Sequence, residues 1–201
     1  MKLLIATKNP GKFREIAEVL HALPYEIVSL ADIGITDDIE EHGATFEENA
    51  VIKARHFYKK TGLPTAGEDS GIHVDAFPGE LGVKTRRWKG LGSVTDEEWI
   101  AHFLKEMRNV PLEDRGAEFV CFAALILNEA MFEKPHIFFG KTRGIITKKL
   151  ESPLKPGIPL SSCFLPEGAD KVYAALSIEE KSTISHRGKA IRTLRDFLHA
   201  K

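Results

Sequence analysis

Two neighbouring carboxylates, Glu68 and Asp69, stand between glycines in residues 67–71. Oxygen ligands of this kind suit a hard cation such as Mg²⁺, which usually keeps several of its waters when bound. One of the carboxylates could also orient or deprotonate a water molecule. Clusters of Asp, Ser and Gly are also typical of an acidic β-turn, and this segment taken alone favours the turn over a metal site.

A polar turn follows the apolar run Lys2–Ala6, which is long enough for a buried strand. In that turn Asn9 can cap a following helix, and Pro10 suits the first helical position. Lys12 then falls in the first turn of the helix, where the dipole disfavours a cation unless a bound phosphate shares the exposed N–H groups. The spacing differs from that of a Walker loop, and an ordinary turn with a solvated lysine is the alternative.

Residues 45–61 have the apolar spacing of an amphipathic helix. Asn49 and Lys53 lie on or beside the apolar stripe, and polar groups that face inward need partners, so we expect them to project toward a cleft. Glu48 has two interpretations. It can complete a capping box with Thr45, which the spacing favours, or it can bind a metal ion.

A fourth candidate lies near the C-terminus, where Lys181 precedes a predicted helix capped by Ser185. His186 and Arg187 occupy the first turn of that helix, where a positive charge is unfavourable, so a contact with a ligand would explain them. Arginine offers a planar set of donors for a base edge or a phosphate. A solvated helix start is the alternative.

The chain has 201 residues, 43% of them hydrophobic and 28% charged, which is ordinary for a single domain over residues 1–201. Its formal net charge of −1 gives no basic excess, so we expect neither a nucleic-acid partner nor membrane association. We find no run of roughly 20 apolar residues and no signal-peptide core. Cys121 and Cys163 are predicted to be buried thiols, and a reducing, cytoplasmic location is the default expectation.

The hydrophobic pattern predicts an α/β protein, with helices and strands alternating early and paired strands later. Strands are expected at residues 2–6, 25–30, 64–68, 73–77, 119–127, 136–139 and 144–150. Helices are expected over residues 13–23, 45–61, 95–110 and 185–199. Residues 78–92 and 152–168 are rich in Gly, Arg or Pro and are predicted to be loops.

Taken together, these segments resemble the inosine/xanthosine triphosphate pyrophosphatase family, which removes non-canonical purine nucleotides. The matching stretches follow the family's order over nearly the whole chain: ATKNPGKFREI, GATFEENAVIKA, TGLPTAGEDSGIHVDAFPGELGV and KSTISHRGKAIRTL. TFEENA, DSG with VDA, and ISHR are jointly a specific signature. The resemblance implies an elongated mixed β-sheet flanked by helices, two lobes with a central cleft, and a homodimer.

The resemblance also implies the reaction, a Mg²⁺-dependent hydrolysis of a nucleoside triphosphate to the monophosphate and pyrophosphate. The expected substrates are ITP, dITP and XTP. Carried over residue by residue, Thr7, Asn9 and Lys12 would hold the triphosphate. Lys53 would lie near the phosphates, and Ser70 would contact the substrate.

The same resemblance assigns the metal and the base. Glu48, Glu68 and Asp69 would bind the metal, and Asp69 would also act on the attacking water. The side chains that would frame the purine base are Lys181, His186 and Arg187.

The family's Gly-Phe-Gly-Tyr-Asp-Pro segment is replaced here. Ile158 stands where an aromatic residue is expected to stack on the base, and Ser161 stands where an acid is expected. Loss of the aromatic stack removes about 1–3 kcal/mol of base binding, whereas Ser161 can still form a hydrogen bond to substrate. The acidic pair also differs, because Glu68 takes the place of an Asp.

These departures leave three functions to compare. The leading one is the pyrophosphatase with inosine and xanthosine nucleotides as substrates. A related enzyme for another modified nucleotide is the second, since the base contacts have changed. A nucleotide-binding module without catalysis is the third, and the retention of Glu48, Asp69, Lys12 and Lys53 argues against it.

Overall fold

Six strands and five α-helices make up the regular structure of residues 1–37 and 39–200, the part of the chain that this computed structural model describes. The strands are β1 (Lys2–Ala6), β2 (Glu26–Ser29), β3 (Thr65–Val74), β4 (Gly116–Ile126), β5 (His136–Ile146) and β6 (Phe164–Pro166). The helices are α1 (Pro10–Leu20), α2 (Phe46–Thr61), α3 (Asp96–Glu106), α4 (Ile178–Ile184) and α5 (His186–His199). Short 3₁₀ turns connect several of them.

The strands form one mixed sheet in the order β2-β1-β3-β4-β5-β6. β1 lies parallel to both β2 and β3, and the other three pairs are antiparallel. Parallel neighbours need crossover connections, which α1 and α2 supply. The predicted α/β class with a mixed sheet flanked by helices is therefore confirmed.

The described residues form four buried apolar clusters, of which the two largest are the first core and the second core. The first core packs α1 and α5 against the strands and includes Leu3, Ile5, Ile16 and Leu194. The second core packs α3 against the far ends of β3 and β4 and includes Ile72, Trp99, Phe103 and Phe164. These cores are the centres of the two predicted lobes. No helix among the described residues is long and apolar enough to cross a membrane.

The ten-residue strand β3 corrects the prediction of two short strands around a turn. Residues 65–74 pair without interruption with β4. Gly67 is present for close packing, because a Cβ there would collide with the backbone of α2 at Ala50 and Ala54. The acidic β-turn interpretation is therefore wrong, since Glu68 and Asp69 lie in the middle of a strand.

Other differences involve short or interrupted elements. The two strands expected at residues 136–139 and 144–150 are one strand, β5. The loop predicted for residues 152–168 contains β6, and the seven-residue helix α4 was not predicted. Cys121 and Cys163 are both buried free thiols, as predicted.

Candidate active site

A cavity of about 540 Å³ lies between the two cores, within the size range of small-molecule sites. All nine predicted substrate-binding residues line it: Thr7, Asn9, Lys12, Lys53, Ser70, Ser161, Lys181, His186 and Arg187. Asp69 lines it as well. Glu48 and Glu68, predicted with Asp69 to bind metal, are not among the described residues that line this cavity.

Glu68 and Asp69 point to opposite faces of the sheet, because neighbouring residues of a strand alternate. Asp69 faces α2, where Asn49 donates to it, whereas Glu68 faces Arg187 of α5. The two carboxylates therefore have separate partners and do not converge on one point.

On the α2 side, the Asp69 carboxylate is held by two buried side chains. Asn49 Nδ2 donates to its Oδ2 at 3.1 Å, and Lys53 Nζ lies 3.0 Å from its Oδ1. Lys53 Nζ is also 3.0 Å from Glu41 Oε1 and donates to the Glu68 carbonyl at 2.9 Å. Burial alone would lower the pKa of Lys53, but the nearby carboxylates outweigh it and raise that pKa. One ammonium thus joins two acidic side chains at the cavity wall.

On the other face, Glu68 is only 1% exposed and is balanced by two cations. Its Oε2 lies 3.0 Å from Lys12 Nζ, and its Oε1 accepts from Arg187 Nε at 3.1 Å. Burial raises the pKa of a carboxyl group, but Lys12, Arg187 and Lys53 hold the pKa of Glu68 well below its ordinary value. Glu68 is therefore ionised and ties α1 and α5 to β3.

Arg187 extends this network toward Ser161 and Lys181. Its Nη2 donates to Ser70 Oγ at 2.7 Å, and its Nη1 is paired with Glu15. Glu15 Oε1 also lies 2.5 Å from Lys181 Nζ, which donates to Ser161 Oγ at 3.0 Å. Each of the three guanidinium nitrogens of Arg187 thus has one protein partner, and both Arg187 and Lys181 line the cavity.

His186 is buried in a cluster with two aromatic rings. Its ring stacks on Phe119 with centroids 4.6 Å apart, and Tyr173 lies 6.1 Å away on a nearly parallel plane. Burial, with the nearby cations of Arg187 and Lys181, holds the pKa of His186 well below 6.5, so the ring is neutral at neutral pH. Its Nδ1 is buried and has no hydrogen-bond partner among the described residues, although the residue lines the cavity.

Asn9 caps α1 as predicted, accepting from the amides of Gly11 and Lys12 at 2.9 and 3.1 Å. Its amide nitrogen donates at 2.7 Å to the carbonyl of Gly157, in the Pro-rich loop that carries Ile158. Asn9 therefore joins the first turn of α1 to this loop.

Glu48 completes the capping box that its spacing favoured. Its Oε2 accepts from the amides of Ala44 and Thr45 at 2.6 and 3.2 Å, while Thr45 Oγ1 accepts from the Glu48 amide. The side chain is exposed at the start of α2. Glu41, which the sequence analysis did not single out, is the acidic residue beside Asp69 in the cavity.

A sequence model of the Ham1 family matches residues 3–197 of this chain. The chain belongs to the Ham1 family. Relatives named dITP/XTP pyrophosphatase include proteins of Geobacter sulfurreducens, 39% identical over 198 residues, and of Yersinia pseudotuberculosis serotype I, 36% identical over 197 residues. Those alignments cover 98% of this chain and 96% and 98% of the relatives. The predicted family membership is confirmed.

Solved Ham1 structures have the same fold. A HAM1 protein from Coxiella burnetii superposes with a TM-score of 0.83 at 34% identity, over the full length of both chains. The Ham1 protein of Staphylococcus aureus superposes with a TM-score of 0.79 at 31% identity, over 100% of this chain and 99% of the other. Both comparisons extend over the cavity as well as the sheet.

Sequence reasoning missed three acidic residues of this Ham1 chain that line the cavity or pair with residues lining it: Glu15, Glu41 and Asp96. Glu15 lies one turn after Lys12 on α1, a helical spacing that could have indicated a shared face. Glu41 lies in an irregular acidic segment whose spacing carries no such signal, and only its contact with Lys53 places it in the cavity.

Substitution Glu68→Gln should weaken the fold, because Lys12 loses this carboxylate partner and the buried Arg187 keeps only Glu15 of its two. Near pH 7 we expect the free energy of unfolding to fall by about 3 kcal/mol. The folded-state pKa of Glu68 lies below its ordinary 4.5, so its stabilising contribution is complete above that pH. It is lost as the pH falls toward the folded-state pKa.

Urea denaturation of the wild type and Glu68→Gln at a series of pH values measures this directly. The difference between the two proteins should shrink below about pH 4.5, whereas exposed Glu47→Gln should follow the wild type throughout. A difference that stays constant down to pH 3 would contradict the assignment.

Proposed function

We propose that this protein hydrolyses non-canonical purine nucleoside triphosphates, such as dITP and XTP, to the monophosphate and pyrophosphate. The observation that carries the proposal is that the nine predicted substrate-binding residues and Asp69 all line one cavity. The names of the relatives at 36–39% identity support the same reaction.

The charges around the cavity suit a polyphosphate. Lys12 and Lys53 reach it from α1 and α2, and Arg86 and Arg87 reach it from the 3₁₀ segment Thr85–Gly90. The chain as a whole has a net charge of −1, so this local cluster of cations supplies the attraction for an anionic ligand. The same cations can neutralise charge that develops on a pyrophosphate leaving group.

Asp69 and Glu41 are the acidic pair that we propose for Mg²⁺, because both carboxylates approach the same Lys53 ammonium at 3.0 Å. Among the described residues no group of three His, Cys, Asp or Glu side chains could hold an ion. That fits Mg²⁺, which binds through one or two carboxylates and takes its other ligands from substrate phosphates and water. When bound, Mg²⁺ would withdraw charge from the phosphate oxygens and help the leaving group depart. Glu48 is less suited to bind the metal because its carboxylate caps α2. Glu68 is less suited because its carboxylate is paired with Lys12 and Arg187.

Asp69 is the base that we propose for the attacking water. Asn49 and Lys53 fix its carboxylate from two sides, so one orientation is set before substrate arrives. A water hydrogen-bonded to Asp69 would attack the α-phosphorus and give its proton to the carboxylate. The new P–O bond forms as the bond to the bridging oxygen breaks, and pyrophosphate leaves with the electron pair.

Donors line the side of the cavity that we propose for the base, and Phe119 and Trp99 line the cavity as well. Lys181, the neutral His186 ring and Ser161 face a region lined by Ile158. Donors that meet a 6-oxo group would be left unpaired by the 6-amino group of adenine, and this disfavours ATP. With Ile158 in place of an aromatic ring, we expect weaker dependence on the remainder of the base.

We also propose a homodimer and a cytoplasmic location. Phe139 of β5 is 47% exposed and packs on Phe122 of β4 with centroids 4.9 Å apart, which marks a candidate contact surface. The two buried thiols fit a reducing compartment. Light scattering should give twice the 22.4 kDa mass of the chain, and a monomer at micromolar concentration would contradict the dimer.

Pyrophosphate release from ITP, dITP, XTP, the four standard triphosphates and several modified ones tests the reaction, with Mg²⁺ and with chelator. We expect Mg²⁺-dependent turnover that favours ITP, dITP or XTP. Preference for another nucleotide would support the second function and trace the specificity to Ile158 and Ser161. Nucleotide binding without turnover would support a non-catalytic binding module.

Replacing Asp69 with Asn should lower kcat by at least about 100-fold, because the proposed base and a metal-binding carboxylate are lost together. The variant should still fold, since an amide can keep the hydrogen bond to Lys53. Asp75→Asn, just beyond the same strand, is the matched control, because Asp75 pairs with Arg143 at the surface. Retention of most activity in Asp69→Asn would refute the role of Asp69.

Glu41→Gln and Glu48→Gln separate the two acidic residues that could assist Asp69. Glu41→Gln should raise the Mg²⁺ concentration needed for half-maximal activity by about tenfold, because one charged oxygen ligand is lost. Glu48→Gln should leave that concentration within about twofold and lower only the stability of α2. If Glu48→Gln raised the required Mg²⁺ concentration in a titration and Glu41→Gln did not, Glu48 rather than Glu41 would be the metal ligand.

A further inference from the structure

The backbone of Gly157 is held from both sides of the cavity. Its carbonyl accepts from Asn9 Nδ2 at 2.7 Å, and its N–H donates to Asp96 Oδ2 at 2.6 Å. Asn9 caps α1, which packs in the first core, and Asp96 begins α3, which packs in the second. A single residue of the Pro-rich loop therefore connects the two lobes.

The local geometry admits only glycine at this position. Gly157 has φ +80°, in the left-handed region that side chains rarely adopt, and a Cβ there would collide with the Asn9 side chain. Pro156, the residue before Gly157, also lies against α1, because a Cβ on Gly11 would approach the Pro156 carbonyl oxygen at 2.6 Å. The loop thus lies directly on the first turn of α1.

The residues after Gly157 form part of the cavity wall. Ile158 and Ser161 line the cavity, and Ser161 accepts from Lys181. Any shift of Gly157 would move both side chains relative to the cations on the opposite wall. The position of this loop therefore decides the shape of the base side of the cavity.

Asp96 lines the cavity and is itself held in place. Its Oδ1 lies 3.6 Å from Arg86 Nη1, and Arg86 also donates to the Val94 carbonyl. The Asp96 side chain is 22% exposed, so the hydrogen bond from Gly157 is partly shielded from water. A hydrogen bond to an ionised acceptor is stronger than one between neutral groups.

We propose that Asp96 is a positioning residue for nucleotide binding, which acts by fixing Gly157 and hence Ile158 and Ser161. The proposal rests on the proposed function, since it takes the occupant of the cavity to be a nucleotide. Without the Asp96 contact the loop samples other positions, and the apparent affinity falls with the fraction of molecules that are competent to bind. The reacting groups around Asp69 are unchanged, so the bound substrate reacts at the same rate.

Steady-state kinetics with dITP should show this division. Asp96→Ala should raise KM by about tenfold, the range expected for a charge-assisted hydrogen bond, and change kcat by less than about twofold. Asp96→Asn keeps an acceptor oxygen and should restore most of the affinity. Glu97→Ala, an exposed acid in the same first turn of α3, is the matched control and should behave as the wild type.

Hydrogen exchange in residues 153–161 gives a second readout that needs no turnover. Exchange there should be faster in Asp96→Ala than in the wild type and unchanged in Glu97→Ala, even if the protein hydrolyses no nucleotide. Asp96→Ser suits a helix start but does not reach Gly157, so it provides the same test if Asp96→Ala fails to fold.

Three results would overturn the proposal. The first is that hydrogen exchange in residues 153–161 and KM are both unchanged in Asp96→Ala. The second is an equal effect in Glu97→Ala, and the third is a loss of kcat at constant KM in Asp96→Ala. A wild type without turnover whose loop exchange still depends on Asp96 would refute the proposed function and keep the structural role of Asp96.

Discussion

Glu68 carries a negative charge in the interior of the protein. The cations that neutralise it come from α1 and α5, so this pairing determines how the two helices lie against β3. A buried carboxylate is costly unless cations and donors surround it. Here Lys12 and Arg187 do so, although Arg187 lies 119 residues further along the chain. The pairing therefore depends on the complete fold, and it holds the first turns of both helices at the cavity wall.

The alternation of a β-strand separates the tasks of two adjacent acids. Glu68 organises the packing of helices on one face, while Asp69 faces α2 and the cavity. A turn at this position would have allowed both carboxylates to reach the same ion. The strand prevents that. The second carboxylate that we propose for the metal is therefore Glu41, which contacts Lys53 as Asp69 does. The alternation of side chains along β3 therefore determines that only one of the two adjacent acidic residues faces the cavity.

Local signals predicted much of this structure. Thr45 and Ser185 are recognisable as helix caps from their type and from the residues that follow them, and both caps are present. Gly67 was misread, because a glycine selected for close packing of two elements looks like a turn glycine in the sequence. The roles of Glu41 and Asp96 depend on contacts between distant segments, which no local spacing encodes.

The same distinction applies to the substrate site. The motifs identified nine residues that line one cavity, but they did not show which protein groups each residue contacts. Arg187 is paired with Glu68, Glu15 and Ser70, whereas the buried Nδ1 of His186 has no partner among the described residues. These contacts join segments that are far apart in the sequence, so local spacing could not predict them.

The position of water attack is the central claim, and an isotope experiment tests it most directly. Hydrolysis of dITP in ¹⁸O-labelled water, followed by mass spectrometry of both products, shows which phosphorus the water attacks. We expect one labelled oxygen in the monophosphate and none in the pyrophosphate. Label in the pyrophosphate, or release of inorganic phosphate instead, would contradict attack at the α-phosphorus.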